Sequence, residues 1–172
     1  MVKINTQHKF DKTKCRHSLM GFQSVLHCHH YMTLTTQMAE DSDGLLGGID
    51  ILISTMEDTM FDVLSQYFKK NKITTLKNKI QIIESYFSFC GLGQMEIKHL
   101  GDFSCEVELL HSHIDEGWVQ KWKKRDKPVG YINRGYLQGA LRAIDAKEWE
   151  SRETQTIVSG AKSSIIKLWT KK

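Results

Sequence analysis

Residues 94–110 read QMEIKHLGDFSCEVELL, and this stretch decides the fold class. Apolar and polar side chains alternate on both sides of Gly101-Asp102, and a period of two residues is that of a half-buried β-strand. A Gly-Asp pair between two such runs is a turn signal. The pattern therefore predicts a hairpin of antiparallel strands, 94–100 and 103–110, whose apolar face must be covered by other parts of the chain.

Helices are predicted on both sides of this hairpin, because apolar residues recur there every three to four positions. The four predicted helices cover residues 18–41, 49–69, 76–89 and 131–144. A shorter helix is predicted over 114–124, and alternation returns over 149–169. This order predicts an α+β domain in which helices cover one antiparallel sheet made of two hairpins.

Size and composition exclude several classes of protein. The chain has 172 residues, which fits a single domain over 18–172 after a polar lead-in over 1–17. Its net charge is +4, but no basic stripe with base-stacking aromatics is found, so nucleic-acid binding is not expected. No apolar stretch approaches the roughly 20 residues of a membrane span, and no nucleotide-cofactor motif is found. A polar amino terminus without a signal peptide and four scattered cysteines lead us to expect a cytoplasmic protein with free thiols.

Residues 27–31 read HCHHY and hold the densest group of metal-binding side chains. Imidazole binds metals near neutral pH as a neutral donor. On a helix His27 and His30 share a face, and in extended structure His111 and His113 point the same way. These four histidines are therefore the predicted metal ligands. The alternative is that the second pair caps a helix while the first pair packs in the core.

The predicted metal is a transition metal, with iron ahead of zinc, because several imidazoles with few thiolates do not suit an iron–sulfur cluster. Nearby carboxylates are candidates to complete its coordination: Glu40, Glu108, Asp115 and Glu116. Tyr31 is the predicted acid–base group beside the metal. An open coordination position would let the metal act as a Lewis acid or activate oxygen.

Four aromatic residues form the predicted binding surface for a small ligand: Trp118, Trp122, Tyr131 and Tyr136. The two tryptophans are four residues apart, so they can stack on an aromatic ligand or close a dimer interface. Core packing, with the hydroxyl bonded to the backbone, is the alternative for the tyrosines. Arg134 and Glu153 are expected to form a structural ion pair.

Four stretches of the second half carry a family resemblance: Gly91–Gly93, His111–His113, Pro128–Gly139 and Glu153–Ser164. They resemble the 4-vinyl reductase domain family, also described as predicted hydrocarbon-binding proteins. The resemblance implies a fold shared with the ligand-binding domains of nitric-oxide signalling and Golgi transport proteins. In that fold helices pack on an antiparallel sheet around an apolar pocket for a small molecule. The resemblance also implies a homodimer.

The chain departs from the family at three positions. Where the family has cysteines, this sequence has Gly130, Thr156 and Ser164. Without these thiolates, a zinc or iron site at the family positions is not expected. The histidines are then the remaining candidates for metal ligands.

Two functions follow from these observations. In the first, the protein is a small metalloenzyme, an oxidoreductase with a histidine-rich, non-haem-iron-like site that acts on a small apolar or aromatic molecule. In the second, it is a non-catalytic sensor or carrier domain that binds such a molecule. The first is favoured, because a sensor usually needs an output domain and the sequence predicts one domain only.

Overall fold

The computed structural model of the protein describes residues 8–19, 21–25 and 27–171. Its strands are β1 (His8–Asp11), β2 (Arg16–Leu19), β3 (Phe22–Ser24), β4 (Gly93–Leu100), β5 (Ser104–Ser112), β6 (Trp149–Gln155) and β7 (Ser164–Thr170). Its helices are α1 (His29–Asp41), α2 (Asp43–Leu46), α3 (Gly48–Lys70), α4 (Leu76–Phe89), α5 (His113–Trp122) and α6 (Tyr131–Asp145), and a short 3-10 helix spans Ile157–Ser159. These elements confirm the α+β class.

Four strands form an antiparallel sheet in the order β4-β5-β7-β6. Both predicted hairpins are present, and pairing between β5 and β7 joins them into one sheet. In β5 the side chains of Cys105, Val107 and Leu109 are buried, and those between them are not. Val107 pairs with Ile166 of β7, and both are fully buried. The alternation read from the sequence therefore marks the face of the sheet that turns inward.

Helices α3, α4 and α6 begin and end within one residue of the predicted bounds. Their apolar side chains pack with the inner face of the sheet into the main core. A smaller apolar cluster lies where α5 meets the start of α6 and the 3-10 helix, and its buried members are Ile114, Trp118, Val129, Ile132 and Val158. Within the described ranges, no helix is long and apolar enough to cross a membrane.

Two glycines set the distance between α3 and α6. A Cβ atom at Gly135 would lie 2.3 Å from the backbone oxygen of Ile53, and one at Gly139 would lie 2.2 Å from that of Glu57. The two glycines are four residues apart and so share one face of α6. Any side chain there would push the helices apart, so this packing requires glycine at both positions.

The amino-terminal region differs from the prediction. The helix expected over 18–41 begins only at His29, and β1, β2 and β3 form a three-stranded sheet before it. Leu19 and Phe22 mimic helical spacing, but they pair across the turn between β2 and β3. Gly21 in that turn has a φ of 91°, which no helix adopts. The polar lead-in over 1–17 contains β1 and the start of β2, and its residues 1–7 lie outside the described residues.

Candidate functional site

The apolar interior beneath the sheet contains a few polar groups. Tyr136 is fully buried, its hydroxyl donates to the carbonyl oxygen of Ile83 at 2.7 Å, and its ring meets Phe87 edge-on. Tyr86 and Cys90 are four residues apart at the end of α4, and burial raises the pKa of the Tyr86 hydroxyl and of the Cys90 thiol. Both therefore stay neutral at pH 7. Apolar surroundings with a few placed polar groups are the usual lining of a small-molecule site, and this interior has that composition.

The three positions that lack the family cysteines meet at one carboxyl group, that of Glu153. The backbone N–H of Gly130 donates to Glu153 Oε2 at 3.0 Å, and the hydroxyls of Thr156 and Ser164 lie close to this carboxyl group. A Cβ atom at Gly130 would lie 2.5 Å from Glu153 Oε2. The absence of a side chain at Gly130 therefore makes room for the carboxyl group, and oxygen atoms replace thiolates in this region.

Asp115 extends this buried polar cluster. Its Oδ2 accepts a hydrogen bond from Ser164 at 2.6 Å, and its backbone N–H donates to Ser112, which caps α5 and also accepts from Asn133. Asp115 Oδ1 and Glu153 Oε1 have no partner among the described residues. Burial raises the pKa of Asp115 to about 6, and burial together with repulsion by Asp115 raises that of Glu153 to about 8. The pair therefore retains a proton at neutral pH, and Glu153 has the higher pKa of the two.

The predicted histidine ligands do not lie together. His27 and His30 are exposed, and His27 stacks on Tyr31 with 4.2 Å between the ring centroids. His111 is also exposed, and its Nδ1 lies 3.0 Å from Glu116 Oε1. In the part of the chain that the structure describes, no three His, Cys, Asp or Glu side chains are grouped so that they could share an ion. Among the described residues, no pair of these histidines therefore has a third metal-binding side chain beside it.

His113 packs instead against His29, a residue that the sequence pattern pointed away from the site. Their rings stack with centroids 4.2 Å apart. Burial, and then the neighbouring His29, lower the pKa of His113. The late start of α1 explains the missed contact, because it places His29 in the first turn of the helix, beside α5.

The predicted ligand-binding aromatics lie in two regions. Tyr131 donates to Glu40 of α1 at 2.6 Å, and Arg125 bonds to the same carboxylate while its guanidinium lies 4.1 Å from the Trp118 ring centroid. Trp122 is half-exposed, 6.3 Å from Trp118. This group ties α1 to α5 and to the start of α6. The fourth predicted residue, Tyr136, lies apart from it in the main interior.

No family model matches the chain, and no curated protein matches its sequence. Its fold, however, is found among solved structures. The phenol-responsive sensory domain of the transcription activator PoxR, solved with phenol, matches with a TM-score of 0.80 at 13% identity, over 95% of this chain and 84% of that chain. Subunit 3 of a trafficking protein particle complex from Naegleria fowleri, covalently bound to palmitic acid, matches with a TM-score of 0.57 at 14% identity, over 83% of this chain and 92% of that chain. A vinyl-4-reductase family protein from Methanocaldococcus jannaschii gives a TM-score of 0.47 at 12% identity, with the same coverage.

At these identities the matches are evidence of fold alone. The PoxR match spans 95% of the chain. It therefore includes the amino-terminal elements as well as the second half, which carries the family resemblance. Helices packed on one side of an antiparallel sheet are the architecture that the family resemblance implied. The chain therefore has the fold of the PoxR sensory domain and of the trafficking-complex subunit.

Proposed function

We propose that the protein is a non-catalytic sensor or carrier domain that binds a small, largely apolar or aromatic molecule beneath its sheet. The observation that carries this proposal is the interior, where Tyr86, Cys90 and Tyr136 set a few polar groups in apolar surroundings. Two similar folds support it, since one is a phenol-responsive sensory domain solved with phenol and another carries palmitic acid.

This function is the second of the two that the sequence left open, and the geometry favours it over the metalloenzyme. His27, His30 and His111 are exposed, and His113 is stacked on His29 instead of facing them. A metal site built from these histidines stays a prediction. Elemental analysis of protein purified without a histidine tag tests it.

The proposed function is tested by thermal unfolding with phenol, toluene or palmitate added. A ligand that binds only the folded state raises the melting temperature, by the equivalent of about 2.7 kcal/mol at one hundred times Kd. Ala140 is fully buried in α6 and belongs to the main core, so Ala140→Leu should fill the interior and remove the shift. Thr59→Leu adds similar bulk at an exposed position of α3 and should leave the shift unchanged.

Circular dichroism of both variants verifies that each has folded. If none of the three compounds shifts the melting temperature of the wild-type protein, the proposed function is wrong. Equal shifts in the wild type and in Ala140→Leu would place ligand binding outside the main core.

A further inference from the structure

A cavity lies on the surface, where α6 begins beside β6. Its volume is about 210 Å³, and its walls are formed by Lys127, Pro128, Tyr131, Arg134, Arg152 and Glu153. Half of these residues are cations, although the whole chain has nearly balanced charges, with 24 basic and 20 acidic residues. We propose that this cavity binds an oxyanion, the carboxylate or phosphate group of a small molecule, through Arg134 and Arg152.

Arg134 is held in place along one edge of its guanidinium group. Its Nε donates to Ser151 Oγ at 3.1 Å and its Nη2 donates to the Ser151 carbonyl at 2.7 Å. The expected ion pair with Glu153 was wrong: among the described residues, no carboxylate lies within 4.0 Å of this guanidinium group. Nη1 has no protein partner in the same residues. A positioned guanidinium with one open edge is suited to bind an oxyanion without further ordering.

The other charged groups around the cavity leave it positive. Arg152 is exposed and forms no ion pair within the described ranges. Lys127 adds a third cation, although its Nζ also lies 3.5 Å from Glu40. Glu153 cancels little of this charge at neutral pH, because burial raises its pKa to about 8. Burial lowers the pKa of Arg134, and Tyr131, Glu153 and Asp50 act in the opposite direction.

The size of the cavity limits what it can hold. A volume of about 210 Å³ is below the roughly 300–1,000 Å³ of most sites for drug-sized ligands. The Pro128 ring and the Tyr131 ring add apolar surface beside the cations. The amino terminus of α6, a helix of 15 residues, adds a partial positive charge. These features suit one anionic group on a small body.

Isothermal titration calorimetry with benzoate and with inorganic phosphate, at constant ionic strength, tests the proposal. We expect at least one of them to bind with a Kd of about 1 mM. Arg152→Gln should weaken that binding about tenfold, the effect of losing one charge-assisted hydrogen bond. Arg134→Lys should weaken it by at least as much, because lysine keeps the charge but cannot hold the two bonds to Ser151. Lys69→Gln removes a charge from an exposed position of α3 and is the matched control.

Arg152 is exposed, so the Arg152→Gln protein should fold. The test therefore stands even if the Arg134→Lys protein does not fold. Binding of benzoate only identifies a carboxylate site, binding of phosphate only identifies a phosphate site, and either supports the proposal. The proposal is overturned if neither anion binds saturably up to about 20 mM, or if Lys69→Gln weakens binding as much as Arg152→Gln. Ala140→Leu should leave anion binding unchanged, so this site and the interior site can fail independently.

Discussion

At the scale of single residues, the buried pair of Asp115 and Glu153 governs how stability depends on pH. Burial raises the pKa of both carboxyl groups, so between about pH 4 and about pH 8 the folded state binds more protons than the unfolded chain. Stability from this source is complete at the acidic end of the window and is lost as the pH rises through the folded pKa values. Glu153→Gln cannot ionise, so it should be at least about 1 kcal/mol more stable than the wild type at about pH 8.5.

Urea unfolding at a series of pH values measures this effect. Glu148→Gln is the control, because Glu148 is exposed on the same side of the β6 hairpin and has only a distant partner, Lys171 at 3.7 Å. The control should follow the wild-type curve of stability against pH. A Glu153→Gln protein that loses stability with rising pH as steeply as the wild type would contradict the raised pKa of Glu153.

At the scale of elements, the contact between α3 and α6 depends on Gly139. A methyl group there would lie 2.2 Å from the backbone oxygen of Glu57 and 2.9 Å from the backbone nitrogen of Phe61, neither of which can move without shifting α3. Gly139→Ala should therefore cost about 1–3 kcal/mol of unfolding free energy. In α2, Gly44 has no atom within 4 Å of an added Cβ, so Gly44→Ala should be neutral or stabilising by up to about 1 kcal/mol.

Chemical denaturation of these two alanine variants compares the same substitution in two environments. Equal stability of both would mean that α3 and α6 are not in close backbone contact. The close contact with α3 also explains why α6 contains Gly135 and Gly139, although glycine is otherwise unfavourable within a helix.

At the scale of the whole molecule, an apolar stripe on α1 bears on the expected homodimer. Tyr31, Leu34 and Met38 follow helical spacing and are 53%, 47% and 62% exposed. We expect sedimentation at micromolar concentration to give twice the monomer mass of 19.9 kDa. Met38→Lys should shift the population toward monomer, because it places a charge in an apolar interface. Ser88→Lys, at an exposed position of α4, should not. A wild-type protein that sediments only as a monomer would contradict the dimer.

Local sequence pattern was sufficient for the sheet and for most of the helices. The alternation in β5 and the helical spacing of α3, α4 and α6 record which face of each element is buried, and burial follows directly from side-chain polarity. The same reasoning failed before His29, since two apolar residues three apart satisfy a helix and a tight β-turn equally well. There the left-handed backbone of Gly21 decided between them.

The candidate sites depended on contacts between distant parts of the chain. The sequence alone determined that thiolates are missing at Gly130, Thr156 and Ser164, but not that these positions meet around Glu153. It indicated a ligand-binding fold through the family resemblance, but it did not indicate the contact between His29 and His113. Only the tertiary structure paired His113 with the ring of His29 and left Arg134 without a carboxylate. The reason is physical: polarity and spacing set which side of an element faces inward, whereas the partner of a side chain is set by how the elements pack.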